Sequence, residues 1–235
     1  MGVLVEPPSS PDGPHTITVP DTVADHDLLD ELSDALKKAP GDAIVWLPAV
    51  TEPRDELMSS AGWSGYRDLY QLRRSLPAEA ADLAERSLDV RAFEDHDAGA
   101  LISVNNRAFD WHPEQRGMTR QRLDQLMAES WFDADGLRLL YRDGEPELVG
   151  FCWTKIHHDS SPPVGEIFVI GVDPAHHEQG LGRPLTLAGL EWLAQRGLTT
   201  AMLYVESDNH PALALYERLG FRHSQTNRAY RREFS

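Results

Sequence analysis

The sequence is poor in several things, and each scarcity excludes something. It contains one cysteine, Cys152. No intramolecular disulfide can brace the fold, and a lone thiol inside an apolar run fits a reducing cytoplasm, the expected location. Its neighbours Phe151 and Trp153 suggest a strand rather than a nucleophile's surroundings. Basic residues are also scarce: 22 Lys and Arg stand against 38 Asp and Glu, a formal net charge of −16. That excludes a nucleic-acid backbone as partner, because phosphate binding needs a basic face. The acidity reads as a solvated surface. No stretch approaches the roughly 20 consecutive apolar residues of a membrane span, so no membrane partner is expected. The N-terminal MGVLVEPPSSPDGP has neither the basic start nor the long apolar core of a signal peptide, and reads as a short disordered arm. Histidines are present, but His157-His158-Asp159 and His176-His177-Glu178 lack the i, i+4 spacing of a helical zinc site, so no metal is expected. What is plentiful is core material. The apolar fraction is 41%, with six Trp and seven Phe, enough to exclude a globally disordered chain.

Periodicity places the elements of the second half. Asp97–Phe109 carries Leu101, Val104 and Ala108 at helical spacing. Thr119–Glu129 puts Leu123, Leu126 and Met127 on one face behind a capping Thr. Leu137–Tyr141 is a short strand. Asp143-Gly144 is a turn leading into the strand Leu148–Ile156. Glu166–Val172 is apolar on both faces and therefore central in a sheet. Arg183–Arg196 is a helix, Ala201–Val205 a strand, and Pro211–Leu219 a helix stopped by Gly220. Phe221 and Arg228–Phe234 supply the last strands. Hairpin-linked strands mixed with helical crossovers define an α/β class with a mixed sheet.

The first half contains a repeat of the second. Shifted by 158 positions without a gap, Ala43 falls on Ala201, Trp46 on Tyr204, Pro53 on Pro211, Gly62 on Gly220 and Trp63 on Phe221. Both copies share one strand–helix–Gly–aromatic plan, which points to duplication. The helix Asp27–Lys38 then matches the one beginning at Arg183. The first copy is incomplete. The expected organisation is a partial lobe over residues 1–88, ending in a helical linker at Pro77–Ser87, and a complete domain over 89–235.

One segment carries chemistry. GVDPAHHEQGLGRPL follows the central strand and opens a helix. Gly180 and Gly182 permit close backbone approach, and a helix N-terminus offers unpaired N–H groups and a positive dipole end. Together these bind phosphate. The segment resembles the pyrophosphate loop of the GNAT superfamily, Q/R-x-x-G-x-G/A after a V-x-P strand end. It departs at His177, which stands where the superfamily has Gln or Arg. Glu178 places a negative charge beside the phosphates, and Pro184 removes a backbone N–H. The stretches VNNRAFDWHPEQRG, WFDADGL, GFCWTKIHHD, GEIFVIGVDP and LYVESDNHPALALYERLGF are similar, in order, to tandem members of that superfamily. Those members acetylate the cysteinyl α-amine of a cysteine–glucosamine–inositol precursor.

The resemblance implies a GNAT acyltransferase fold with a V-shaped mixed sheet, preceded by a partial GNAT-like lobe. It implies acetyl-CoA as co-substrate and a small-molecule amine as acceptor, handled by a monomer. It implies cofactor contacts from the backbone of Ile170, Gly171 and Val172, from His177, Glu178, Gln179, Gly180, Leu181, Gly182 and Arg183, and from Asn209. Glu114, Lys155 and Tyr204 match substrate-binding positions. Glu166 matches a general base acting through water, and Tyr216 a general acid. The chemistry agrees, since acyl transfer to an amine needs a neutral nucleophile and an acid for the leaving thiolate. Burial of Glu166 in a central strand is expected to raise its pKa. Two other readings stay open: a GNAT enzyme for another aminoacyl or small-molecule amine, and a non-catalytic acyl-CoA-binding homologue.

Overall fold

The computed structural model describes residues 3–7, 13–38, 41–78, 90–111, 116–141 and 147–232. Contacts divide the chain into two compact units. One takes the chain up to Leu72, with Tyr204–Leu213 and the chain from His223. The other takes Arg73–Leu203 and Ala214–Arg222. This division differs from a cut at residue 88, because two late segments pair with strands of the first seventy residues. Such long-range pairing leaves no local trace in sequence. Most of the expected linker helix, and the Asp143-Gly144 turn, lie outside the described residues.

In the first unit, strands β1 (Leu4–Glu6), β2 (His15–Thr18), β3 (Ala43–Leu47), β10 (Arg222–Arg232) and β4 (Trp63–Ser75) lie side by side in that order. The N-terminal stretch is thus corrected: Leu4–Glu6 is no disordered arm but pairs antiparallel with Thr16–Thr18. The tail is one strand, β10, rather than two, and pairs antiparallel with β3 through Arg228↔Leu47 to Arg231↔Ile44. Helix α1 (Leu28–Lys38) has Asp30 and Glu31 in its first turn and Lys37 and Lys38 in its last, each at the favourable end of the helix dipole. Its buried Leu28, Leu32 and Ala35 recur at i, i+4, i+7 and join Ile17, Val45, Met58 and Tyr230 in one core. Helix α2 spans Glu52–Ser60.

In the second unit, strands β5 (Val90–Ala92), β6 (Leu137–Tyr141), β7 (Leu148–His157), β8 (Val164–Val172) and the start of β9 (Thr200–Glu206) are neighbours in that order. The pairs are antiparallel except β8 with β9, which is parallel, so the sheet is mixed. Helix α3 (Ala98–Ala108) and helix α4 (Arg120–Met127) cover one face, while α5 (Gly182–Gln195) covers the other. Side-chain alternation along β7 sorts the faces. Phe151 and Trp153 join Leu101, Val104 and Leu123 from the first two helices. A Cβ on Gly189 of α5 would meet the opposite-facing Cys152 sulfur at 2.6 Å. Thr119 caps α4, its hydroxyl accepting from Arg122 N at 3.1 Å. Strand β5 was missed because three residues carry too little pattern to read.

The duplication is visible element by element. Helix α6 spans His210–Arg218, the span of α2 displaced by the same 158 residues, and the glycines that end both turns, Gly62 and Gly220, have φ of +80°. That left-handed conformation is open to glycine at little cost.

Asp97 fixes where α3 begins. Buried, it accepts from Arg91 at 2.6 and 2.8 Å, from the Glu94 backbone N–H at 2.8 Å and from the Tyr141 hydroxyl at 2.7 Å. Burial alone would raise its pKa; those four donors reverse this and hold it well below the usual carboxylate range. A depressed folded-state pKa contributes stability that is complete above the unfolded value, about 4, and is lost as pH falls through the folded one. Asp97→Ala should therefore destabilise the protein by about 2–3 kcal/mol at neutral pH. It should also flatten the loss of stability below about pH 4, as read by urea titrations across pH.

Candidate active site

Strand β8 supplies the centre. It pairs with β7 along its length, but with β9 only through Gly165↔Ala201, Glu166↔Met202 and Ile167↔Leu203. Among the described residues no strand pairs with that edge of β8 beyond Ile167. The departure coincides with a bulge: Trp153 pairs with Val169 and Thr154 with Ile167, leaving Phe168 as the extra residue. A bulge ends regular pairing and re-aims side chains. The open edge contains Ile170, Gly171 and Val172, where an extended ligand arm could add as a strand does.

Glu166 lies just before the bulge, 6% exposed. Its strand partner is Lys155. Its Oε2 is 2.6 Å from Nε2 of His157, two residues further along β7 on the same face. The Lys155 ammonium is held over the rings of Trp131, at 5.0 Å, and Phe168, at 5.7 Å. Trp131, Phe132, Trp153 and Phe168 pack edge to face or tilted, with centroids 5.0–6.0 Å apart. The indole N–H of Trp153 is buried and has no partner among the described residues. A buried carboxylate, a cation and an aromatic wall thus share one face of the β7–β8 ladder.

The turn after β8 is pinned. The buried Asp173 accepts from Ala175 N at 3.0 Å and from Arg107 of α3, whose Nε is at 2.7 Å. Burial would raise the Asp173 pKa, but the Arg107 guanidinium and the Ala175 N–H bring it below the ordinary value. Beyond a short 3-10 turn at Pro174–His176, the chain runs through His177–Leu181 into α5. His177 Nε2 lies 3.2 Å from the Val172 carbonyl oxygen. Glu178 and Gly180 both have positive φ, +64° and +73°. At Gly180 a Cβ would meet nothing within 4 Å, so that side of the loop is open. At Glu178 the conformation is sparsely populated for a non-glycine residue and costs about 1 kcal/mol. Gly182 begins α5, and Arg183 and Pro184 follow. The first N–H groups of a helix have no intrahelical partner, so Pro184 costs the helix nothing and subtracts one donor from an anion site. A loop open at Gly180, donors at Gly182 and Arg183, and a 14-residue helix behind them fit a pyrophosphate.

Tyr216 comes from α6, which packs on this loop: a Cβ on Gly182 would be 3.2 Å from Leu215. Tyr216 is buried against Phe221. Burial, and secondarily the Cys152 sulfur, push its phenol well above the ordinary value. Burial also raises the Cys152 thiol to about 12, which makes it structural.

Glu166, Lys155, Ile170–Val172, His177–Arg183 and Tyr216 all lie in the second unit. Tyr204 and Asn209 belong to the first unit. There the Tyr204 hydroxyl accepts from Gln71 Nε2 at 2.7 Å, and Asn209 caps α6 by accepting from Ala212 N at 3.2 Å. Glu114 lies outside the described residues. Sequence reading missed His157 and Arg107. His157 could have been found by counting outward from the loop between β7 and β8, which sets His157 opposite Val164 and Lys155 opposite Glu166. Arg107 could not, since its partner is 66 residues away. Among the described residues no group of His, Cys, Asp or Glu could hold a metal ion, and no helix is long and apolar enough to cross a membrane.

A mixed open sheet, a strand whose neighbour departs at a bulge, and a glycine loop opening a helix together suit an extended ligand with an anionic end. The sequence profile of the acetyltransferase (GNAT) family matches residues 101–221, and the chain belongs to that family. Among curated relatives, the mycothiol acetyltransferase of Rhodococcus erythropolis is 43% identical over 196 residues, covering 80% of this chain and 65% of the relative. That of Mycobacteroides abscessus is 44% identical over 200 residues, covering 85% and 67%. The chain spans about two thirds of the length of these relatives. Among solved structures, a GCN5-related N-acetyltransferase from Sphaerobacter thermophilus shares the fold with a TM-score of 0.72 at 19% identity, covering 98% of this chain and 75% of that one. A tandem GNAT protein from the clavulanic acid biosynthesis pathway does so with a TM-score of 0.63 at 16% identity, covering 96% and 78%.

Proposed function

We propose that this protein transfers the acetyl group of acetyl-CoA to the cysteinyl α-amine of a cysteine–glucosamine–inositol acceptor, as the sequence resemblance implies; relatives 42–45% identical to it bear the name mycothiol acetyltransferase. The observation that carries the reading is the buried Glu166 carboxylate at the last rungs where β8 still pairs with β9, next to the open strand edge. In this reading the backbone of Ile170, Gly171 and Val172 holds the pantetheine arm. The loop His177–Arg183 and the start of α5 hold the pyrophosphate. Glu166 takes a proton from the acceptor amine, directly or through one water, as nitrogen attacks the thioester carbonyl. Tyr216 offers its proton to the sulfur as the C–S bond breaks. Lys155 binds the acceptor, and the Trp153 N–H, without a partner among the described residues, is a further donor.

A thiol-release assay tests this directly. The cysteine–glucosamine–inositol acceptor should give a kcat/KM at least about 100-fold above those of glucosamine and free cysteine, because a site built to hydrogen-bond a polar group rejects analogues lacking it. Equal rates with simple amines would leave an acetyltransferase for another amine. Binding of acetyl-CoA without release of thiol for any amine would leave the non-catalytic reading.

A further inference from the structure

Resting on the acetyltransferase reading, we propose that His157 is the positioning residue of the Glu166 base. Its imidazole fixes which carboxylate oxygen meets the amine and sets the pH range in which the carboxylate works. The two side chains are 2.6 Å apart, Nε2 to Oε2, with 22% of the imidazole and 8% of the carboxylate exposed. The imidazole therefore stands between a buried carboxylate and water.

The surroundings leave the carboxylate few other partners. From β7, Lys155 is its register partner, but that ammonium lies over Trp131 and Phe168. From β9, the register partner is Met202, which carries no charge. On the covered face the aromatic rings of Trp131, Phe132 and Trp153 face this region. The next residues of the chain, His158 and Asp159, are exposed. Among the described residues, His157 is the side chain in hydrogen-bond contact with the carboxylate.

The proton accounting is simple. With the imidazole neutral, Nε2–H donates to Oε2, so the carboxylate cannot rotate and Oε1 is left to receive the amine proton. The C–N bond forms, the C–S bond breaks, and the proton on Oε1 returns to water after the product leaves. A protonated imidazole would present a cation to the carboxylate, and an opposite charge favours the ionised form.

The test uses His157→Gln, which keeps an N–H donor but cannot titrate, and His157→Phe, which keeps neither property. In the full-length protein, kcat with the cysteine–glucosamine–inositol acceptor should fall on the order of 10- to 100-fold in the Phe variant, as expected for a base displaced by a fraction of an ångström. It should fall less in the Gln variant. The acid limb of kcat should move to higher pH in both, furthest in the Phe variant, and added imidazole should restore part of its rate. The KM for acetyl-CoA should change less than about twofold, since the cofactor loop is untouched. A packing role would lower kcat without moving the limb, so profiles that superimpose on wild type after scaling would overturn the proposal. If the Phe variant no longer binds acetyl-CoA, the Gln variant alone decides by the position of its limb. An inactive wild-type protein would instead bring down the functional reading, and this inference with it.

Discussion

Glu166→Gln should lower kcat by about 10²- to 10⁴-fold while the protein folds and binds acetyl-CoA as before. The acceptor's α-amine has a pKa of roughly 7.7–8.0 if it behaves as a free α-amino group, so near pH 7 most of it is protonated and cannot attack. A group in the site must take that proton. Glu166 is the one acidic side chain in β8, and it lies four residues before Ile170, on the strand whose open edge would hold the thioester arm. Glutamine has the same shape and keeps a carbonyl oxygen for His157, so packing and cofactor contacts should persist, but it accepts no proton at any relevant pH. The loss should be confined to kcat and persist across the pH profile, because the proton acceptor is gone while the cofactor contacts stay. Stopped-time thiol release from pH 5.5 to 9, with acetyl-CoA affinity measured by calorimetry, separates the two effects. A Gln variant retaining more than about a tenth of wild-type kcat would show that solvent, not this carboxylate, receives the proton.

Much of the architecture was legible because it is written in local chemistry. The 158-residue displacement carried not only Gly62 onto Gly220 but the whole of α2 onto α6, since a proline near the helix start and a glycine at its end fix a helix from within. The glycine loop that opens α5 was legible for the same reason. What escaped was non-local. No window of sequence places Arg228–Arg231 beside Ile44–Leu47, or the Leu4–Glu6 strand beside Thr16–Thr18, because strand pairing depends on what else is in the sheet. The site divides in the same way. Glu166 could be nominated as a rare carboxylate in an apolar strand. Its partner His157 needed the hairpin register, which counts cleanly from the loop to Lys155 opposite Glu166; the bulge at Phe168 breaks that count only further along the strand. Burial of Glu166 was foreseen; the imidazole against it was not.

Tyr216→Phe should separate catalysis from stability more sharply than any other change in this chain. The ring is buried against Phe221, on the helix that touches the loop through Leu215. Phenylalanine keeps that ring and its packing, so Tm should change little. A structural tyrosine would behave in the opposite way. The catalytic effect should be large and unfavourable. Burial holds the phenol pKa high, so the proton is present throughout the working pH range. For the same reason the phenol is a reluctant acid toward a thiolate whose conjugate acid ionises at roughly 8.5. It should act by hydrogen-bonding the sulfur as negative charge grows there, handing over its proton only as the C–S bond separates. Such a donor, aimed at charge that exists only in the transition state, is worth about 10²- to 10³-fold in kcat. The KM for acetyl-CoA should stay within about twofold, because the ground-state thioester sulfur is a poor acceptor. Paired thermal unfolding and steady-state kinetics on one preparation read both quantities. A variant with wild-type kcat and a lowered Tm would make Tyr216 a core residue, and the thiolate would then have to take its proton from water.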